Sequence, residues 1–127
     1  MLGGCGIAAA ATCSIIHPAG PTDMQADLAR TAAEDALLED SFDLQGRYRL
    51  IGSRRIDERQ WDALIRRDAT SGRSFALHRI DCAALHTRAL GIGDAVEDVA
   101  LEQVGVEGRP IVRGSALHHA AELLCRR

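Results

Sequence analysis

The order of apolar and polar positions divides the chain into segments with helical or extended periods. From Thr22 to Leu38, apolar side chains recur at spacings of three and four, which predicts an amphipathic helix. Tyr48–Ile51 has the composition of a short strand, and the glycine that follows ends it. From Ile56 to Arg67 the apolar residues again share one side at helical spacing, so we expect a second helix that carries Trp61.

Beyond residue 72 the side chains alternate with a period of two, which indicates extended strands. The third expected strand is ambiguous, because Ser115–Leu124 would also form a capped helix on local propensity alone. The turn before it and the resemblance described below favour the strand. We therefore expect strands at Phe75–His86, at about 95–106 and at about 111–125, with turns at Gly91–Asp94 and Val106–Pro110.

Composition and charge narrow the possible functions. The 127 residues suit one domain, and with 46% hydrophobic and 26% charged residues the chain can bury a core. The net charge of -3, with both signs interspersed, and the aromatic content of 3% argue against nucleic-acid binding. The chain contains no lysine, which excludes Schiff-base and pyridoxal-phosphate chemistry, and we expect no cofactor.

Residues 1–21 differ from the rest and are interpreted as an apolar or flexible N-terminal extension, which places the domain at 22–127. Leu2–Cys5 resembles a lipoprotein cleavage box, although Met1 leaves no room for the hydrophobic segment that such a box requires upstream. No stretch approaches the roughly 20 apolar residues of a membrane span. We therefore expect a cytoplasmic protein, or an exported or lipid-anchored one if the natural start lies upstream.

The cysteine pattern gives little support to a metal site. The four cysteines, at positions 5, 13, 82 and 125, form no Cys-x-x-Cys pair, and the spacing of the histidines and carboxylates demands no metal. We expect Cys82 and Cys125 to be reduced and buried.

In their order along the chain, these elements resemble the nuclear transport factor 2-like superfamily, in particular its SnoaL-like branch of small bacterial domains. The resemblance implies an α+β fold in which a curved, mostly antiparallel sheet packs around N-terminal helices as a cone, with a pocket at its open end. The cone would lack its last strand, and a homodimer would form through the sheet. The resemblance covers roughly residues 22–127 and rests on Leu50–Ser53, Ile56–Asp57, Gln60–Trp61, Gly93–Val96, Gly108–Pro110 and Leu124–Arg127.

Such cones work by general acid-base catalysis, so the resemblance implies carboxylates or histidines in an apolar cavity. Arg79 and Asp81 project from one face of a strand, where the arginine could keep the aspartate charged as a base; a surface ion pair is the alternative. We expect catalytic groups at Asp81, His86, His119 and Tyr48, and substrate contacts from Trp61, Arg79 and Phe75, although Trp61 is also a candidate core residue.

The sequence therefore predicts a protein with a pocket for a small apolar molecule. The first hypothesis is a cofactor-independent isomerase, cyclase or hydrolase of the SnoaL-like type. The alternative is a non-catalytic dimerisation or ligand-binding domain, which the scarcity of polar aromatic residues favours.

Overall fold

A computed structural model describes residues 34–101 and 108–127 of the chain. Seven strands, one 3-10 helix and one α-helix occur in this part. In chain order they are β1 (Ala36–Leu38), β2 (Gly46–Arg55), β3 (Gln60–Ala69), β4 (Gly72–Asp81), β5 (His86–Gly93), the 3-10 helix Val96–Asp98, β6 (Ala100–Leu101), β7 (Arg109–Pro110) and α1 (Ala116–Leu124).

All strands belong to one antiparallel sheet, in which each of the strands β1 to β6 lies beside the next one along the chain. The order is β1-β2-β3-β4-β5-β6, and β7 pairs with β5 instead of with β6. β3 and β4 stay in register from Gln60 opposite Asp81 to Ala69 opposite Gly72. Gly72 has a φ of 136°, which a residue with a side chain rarely adopts, so glycine permits the tight turn between these strands.

Helix α1 begins where two side chains accept hydrogen bonds from its free backbone amides. The Ser115 hydroxyl accepts from the His118 amide at 3.2 Å, and the Asp40 carboxylate accepts from the Ala116 amide at 2.9 Å. Small residues on one side of the helix allow it to lie close to the sheet. This side packs with residues of four strands to form the main core: Leu38, Leu50, Ala63, Ile65, Ile80, Ala116, Ala120, Ala121 and Leu124.

The opposite face of the sheet carries a second, smaller core. It consists of Leu64, Phe75, Leu77 and Val99, with Val96 of the 3-10 helix packed against them. Strand β3 is therefore buried on both faces.

A disulfide joins Cys82, in the turn after β4, to Cys125, directly after α1. The expectation that both cysteines are reduced is wrong for this structure. The bond closes a loop with a sequence separation of 43 residues and fastens the C-terminal end of the helix to one end of the sheet.

The predicted α+β cone, and with it the α+β and SnoaL-like description of the fold, is wrong. The described part is predominantly β-structure, with one short helix at its C-terminal end instead of helices at the N-terminal end. Ala36–Leu38, the end of the first predicted helix, is strand β1, and the rest of that prediction, up to residue 33, lies outside the described residues. The division into residues 1–21 and 22–127 stays a prediction.

The helix predicted at Ile56–Arg67 is also wrong, because most of this segment is strand β3. Its apolar residues occur in a nearly continuous run, Ala63–Ile65, since the strand is covered on both faces. A strand that is buried on both faces lacks the period of two that marks a half-exposed strand. Its sequence pattern can then be mistaken for that of a helix.

The three long strands predicted beyond residue 72 are only partly present. The first ends at Asp81, and a turn containing Leu85, whose φ is 53°, leads into β5. The second is replaced by the 3-10 helix and the two residues of β6, while residues 102–107 lie outside the described part. The third is helix α1, as local propensity alone indicated.

Candidate functional site

A cavity of about 320 Å³ lies between the sheet and the beginning of α1. It is better enclosed and more apolar than a second cavity at the other end of the sheet. Its apolar wall includes Ile65, Ala76, Ile92, Ala116 and Leu117, and its polar groups are Asp40, Tyr48, Arg67, Ser74, His78 and Ser115.

His78 is the least satisfied polar group of this cavity. It lies on β4 between the cross-strand neighbours Ala63 and Ala89, on the face that α1 covers. Its Nδ1 atom is buried and has no hydrogen-bond partner among the residues that the structure describes. Burial lowers the pKa of His78 from 6.5 to about 4, so the imidazole is neutral at pH 7. A buried polar atom without a partner is costly and calls for an explanation.

The other polar groups near this cavity largely bind one another. The Tyr48 hydroxyl donates to Asp43 at 2.6 Å, and Arg67 donates to the same carboxylate at 2.7 and 3.3 Å. The guanidinium and hydroxyl hold the pKa of Asp43 well below its usual range. Burial and the hydrogen bond to Asp43 raise the pKa of Tyr48, so this phenol is a weaker acid than a fully hydrated tyrosine.

Asp40 has a structural role at the mouth of the cavity. One carboxylate oxygen accepts from the amides of Phe42 and Asp43, and the other accepts from Ala116 at the start of α1. The aspartate therefore fixes a turn and a helix end at once, which positions both beside the cavity.

The second cavity, of about 210 Å³, lies around the turn between β4 and β5. Asp81 and His86 face each other there as a cross-strand pair, and both line the cavity. Asp81 accepts from the amides of Ala83 and Ala84, and these bonds, with smaller contributions from Arg59 and His86, lower its pKa. Its carboxylate is thus already bound by the turn.

The four predicted catalytic residues do not converge on one site. Asp81 and His86 meet in the smaller cavity, whereas Tyr48 lines the larger one. His119 lies on α1, where its Nδ1 atom accepts from the Glu39 amide at 2.9 Å and so joins the helix to β1. The hairpin turn between β4 and β5 brings Asp81 and His86 to the same face of the sheet.

The three residues predicted to contact a substrate are also separate. Trp61 packs against the main core under α1, and Phe75 belongs to the smaller core on the other face. Arg79 lines the smaller cavity and donates two hydrogen bonds, of 2.7 and 3.0 Å, to Asp62. Of these three, Arg79 lines one of the two cavities, whereas Trp61 and Phe75 line neither.

Sequence reasoning missed the residues that the structure makes most prominent. Neither His78 nor Asp62, a fully buried carboxylate, is among the predicted site residues. The available signal was the alternation of Asp62 with the apolar Ala63 and Ile65, which would have placed it on the other face of a strand.

Comparisons with known proteins provide no further assignment. No known family, curated protein or solved structure matches this chain. Within residues 34–101 and 108–127, no helix is long and apolar enough to cross a membrane, and no group of three His, Cys, Asp or Glu side chains is placed to hold a metal ion.

Proposed function

We propose that the protein is a non-catalytic binding domain for a small, mostly apolar molecule that carries one neutral hydrogen-bonding group. The observation that carries this proposal is the buried, unpartnered Nδ1 of His78 in the wall of the cavity between α1 and the sheet. The ligand would supply the missing partner.

The size and chemistry of the cavity support a small molecule. Its volume of about 320 Å³ falls at the lower end of the range of ligand pockets, roughly 300–1,000 Å³. Ile65, Ala76 and Leu117 present apolar surface to the interior. Mostly apolar walls with few polar groups are typical of sites that gain affinity from burial and orientation from one or two hydrogen bonds.

The protonation state of His78 favours a neutral head group. A neutral imidazole offers one donor nitrogen and one acceptor nitrogen, so a hydroxyl group, which both donates and accepts, fits either tautomer. A charged group would lose its hydration without gaining a free counter-charge, since Arg67 is bound to Asp43. We therefore expect alcohols to bind more tightly than carboxylates of the same length.

The pairing of polar groups supports binding rather than catalysis. A general acid and a general base must each be free to exchange a proton with the bound molecule. Tyr48 donates to Asp43, and the Asp40 carboxylate is occupied by backbone amides. His78 is left as the one cavity residue, among those described, that combines a titratable ring with an unpartnered buried atom.

The disulfide supports the exported alternative over the cytoplasmic one. Disulfides persist in oxidising compartments and are rare where thiols are kept reduced. The bond between Cys82 and Cys125 therefore favours a location outside the cytoplasm. Thiol counting by mass spectrometry on protein isolated from its own cells without reductant tests this: alkylation of both cysteines would contradict export.

Homodimerisation stays a prediction, and sedimentation velocity of the full chain measures it.

Fluorescence titration with N-phenyl-1-naphthylamine, an apolar neutral probe, tests the proposed function. Ala76 lines the cavity, so Ala76→Leu fills it without removing a polar group. We expect saturable binding to the wild type, displacement by 1-octanol, and at least roughly tenfold weaker binding to Ala76→Leu. The control is Ala84→Leu, which makes the same change in an exposed turn and should bind like the wild type.

Two results would overturn the proposal. One is the absence of saturable probe binding to folded wild-type protein. The other is equal binding to Ala76→Leu and Ala84→Leu, which would place the probe elsewhere on the surface. Circular dichroism confirms that both variants fold, so that lost binding is not mistaken for lost structure.

A further inference from the structure

A row of charged residues crosses the face of the sheet that lies opposite α1. Arg54 of β2 pairs with Asp62 of β3, Asp62 pairs with Arg79 of β4, and Arg79 pairs with Arg88 of β5. Three arginines thus share a row with one carboxylate. The chain as a whole is acidic, with a net charge of -3, so this row is a local excess of positive charge.

The single carboxylate of the row is fully engaged by two of the arginines. Arg79 binds Asp62 with two hydrogen bonds, of 2.7 and 3.0 Å, and Arg54 approaches it at 3.5 Å. The Nε atom of Arg54 is nevertheless buried without an acceptor. Asp62 therefore satisfies Arg79 well and Arg54 only in part.

Arg88 has no carboxylate within ion-pair distance among the residues that the structure describes. It is half-buried and stands directly opposite Arg79 in the ladder between β4 and β5. Like charges at directly opposite positions of a sheet destabilise it. Such a local conflict typically marks a position where a ligand, rather than the fold, supplies the missing charge.

Both arginines line the smaller cavity, together with other hydrogen-bonding side chains. Gln60 and His86 add possible donors. Asp81 also lines this cavity, but its carboxylate is bound by two turn amides and by Arg59 at 3.5 Å. Asp57 adds a more distant negative charge that acts on Arg79. Arg88 is therefore the cation of this cavity that no described carboxylate neutralises by direct pairing.

We propose that this cavity binds a small dissolved oxyanion between Arg79 and Arg88. The Arg88 guanidinium presents parallel N–H groups that match the oxygens of a phosphate or a carboxylate. Arg79, whose Nε and one Nη donate to Asp62, would add its remaining N–H groups from the neighbouring strand. The anion would also relieve the repulsion between the two arginines. This site lies on the other face from the cavity at His78 and does not depend on the proposed function.

Thermal unfolding of the full chain in inorganic phosphate, compared with sodium chloride of equal ionic strength, tests this proposal. At a phosphate concentration ten times the Kd, the wild-type Tm should rise by about 5 °C. Arg88→Gln should abolish this rise and weaken phosphate binding in calorimetry at least roughly tenfold. Without phosphate, Arg88→Gln should unfold at the same temperature as the wild type or higher, because it removes a like-charge pair.

The matched control is Arg73→Gln, which removes an exposed arginine that is paired with Asp68 on the surface. This variant should keep the phosphate response. Acetate in place of phosphate distinguishes the two kinds of oxyanion, and a response to either one supports the site if Arg88→Gln removes it. A wild type without an anion-specific Tm increase, or an unchanged increase in Arg88→Gln, would overturn the proposal.

Discussion

Two aspartates of β3 make similar contacts and differ mainly in their exposure to solvent. Asp62 binds Arg54 and Arg79 and is fully buried. Asp68 binds Arg66 and Arg73, and 30% of its side chain is exposed. Water screens an exposed ion pair, whereas a buried arginine that loses its partner keeps its desolvation cost. Substituting each aspartate in turn therefore separates the effect of burial on stability from the effect of the ion pair itself.

We expect Asp62→Ala to lower the free energy of unfolding by about 1.5–3 kcal/mol, because it leaves the partly buried Arg79 and Arg54 without a counter-charge. Asp68→Ala should lower the free energy of unfolding much less, because water screens an exposed ion pair. Urea unfolding followed by circular dichroism measures both. Equal losses in the two variants would show that burial of the Asp62 pair has no special role.

His78 should make the stability of the protein depend on pH. Its pKa is about 4 in the folded protein and 6.5 when the side chain is fully hydrated, so the unfolded chain binds more protons between these values. Stability is therefore complete above pH 6.5 and falls as the pH decreases towards 4. The expected loss between pH 7 and pH 5 is about 2 kcal/mol.

The measurement is the difference in unfolding free energy between pH 7 and pH 5 for the wild type and for His78→Leu. His78→Leu should lose most of this dependence of stability on pH. Carboxylates with lowered pKa, such as Asp43 and Asp81, contribute mainly below this window, since their unfolded value is 3.8. His118→Leu is the control and should behave like the wild type; a loss of the dependence in this variant instead would contradict the assignment.

The sequence could not reveal these single-residue features, because they depend on cross-strand partners. Arg54 and Arg79 lie 8 and 17 positions from Asp62, and they become its neighbours only when β2, β3 and β4 pair. When β3 is interpreted as a helix, its cross-strand partners cannot be assigned. The burial of Asp62 between two arginines therefore cannot be predicted. Arg79, expected beside Asp81 as its partner, binds Asp62 instead, and Asp81 pairs with Arg59.

Local signals were reliable for some elements and misleading for others. Helix α1 follows Ser115, a favourable N-terminal cap, and local helix propensity alone was sufficient to predict this helix. The resemblance favoured a strand here, which is wrong. The strand at Tyr48–Ile51 is present but extends from Gly46 to Arg55. The prediction failed for strand β3 because both of its faces are buried, so tertiary packing removed the periodicity on which local prediction depends.

The helix is held to the sheet covalently as well as by packing. Opening the bond between Cys82 and Cys125 frees the end of α1 and releases a constraint on the unfolded chain. We expect Cys82→Ser to lower the free energy of unfolding by about 2–4 kcal/mol. Urea unfolding measures this, and the wild type with dithiothreitol should fall to the level of the variant. A variant as stable as the oxidised wild type would contradict the role of the bond.

For the molecule as a whole, one sheet separates two cavities of different chemistry. The face covered by α1 has an apolar cavity with a neutral histidine, and the opposite face has a cavity with two arginines. The sequence analysis placed a pocket at the open end of a cone, and that cone is wrong; binding of an apolar molecule stays a prediction. The cavity at His78 exists because α1 docks on strands β1 to β4, which are distant from it in the chain, and no local pattern encodes such a long-range contact.

The ¹⁵N chemical shift of the His78 Nδ1 atom tests the central claim most directly, because this atom is the proposed partner of the ligand. Long-range ¹H–¹⁵N correlation spectra of the full chain are recorded as 1-octanol is added at pH 7. We predict that the Nδ1 signal of His78 moves and saturates while the nitrogen signals of His86 and His118 stay in place. Saturable octanol binding that leaves the His78 nitrogens unchanged would contradict the account.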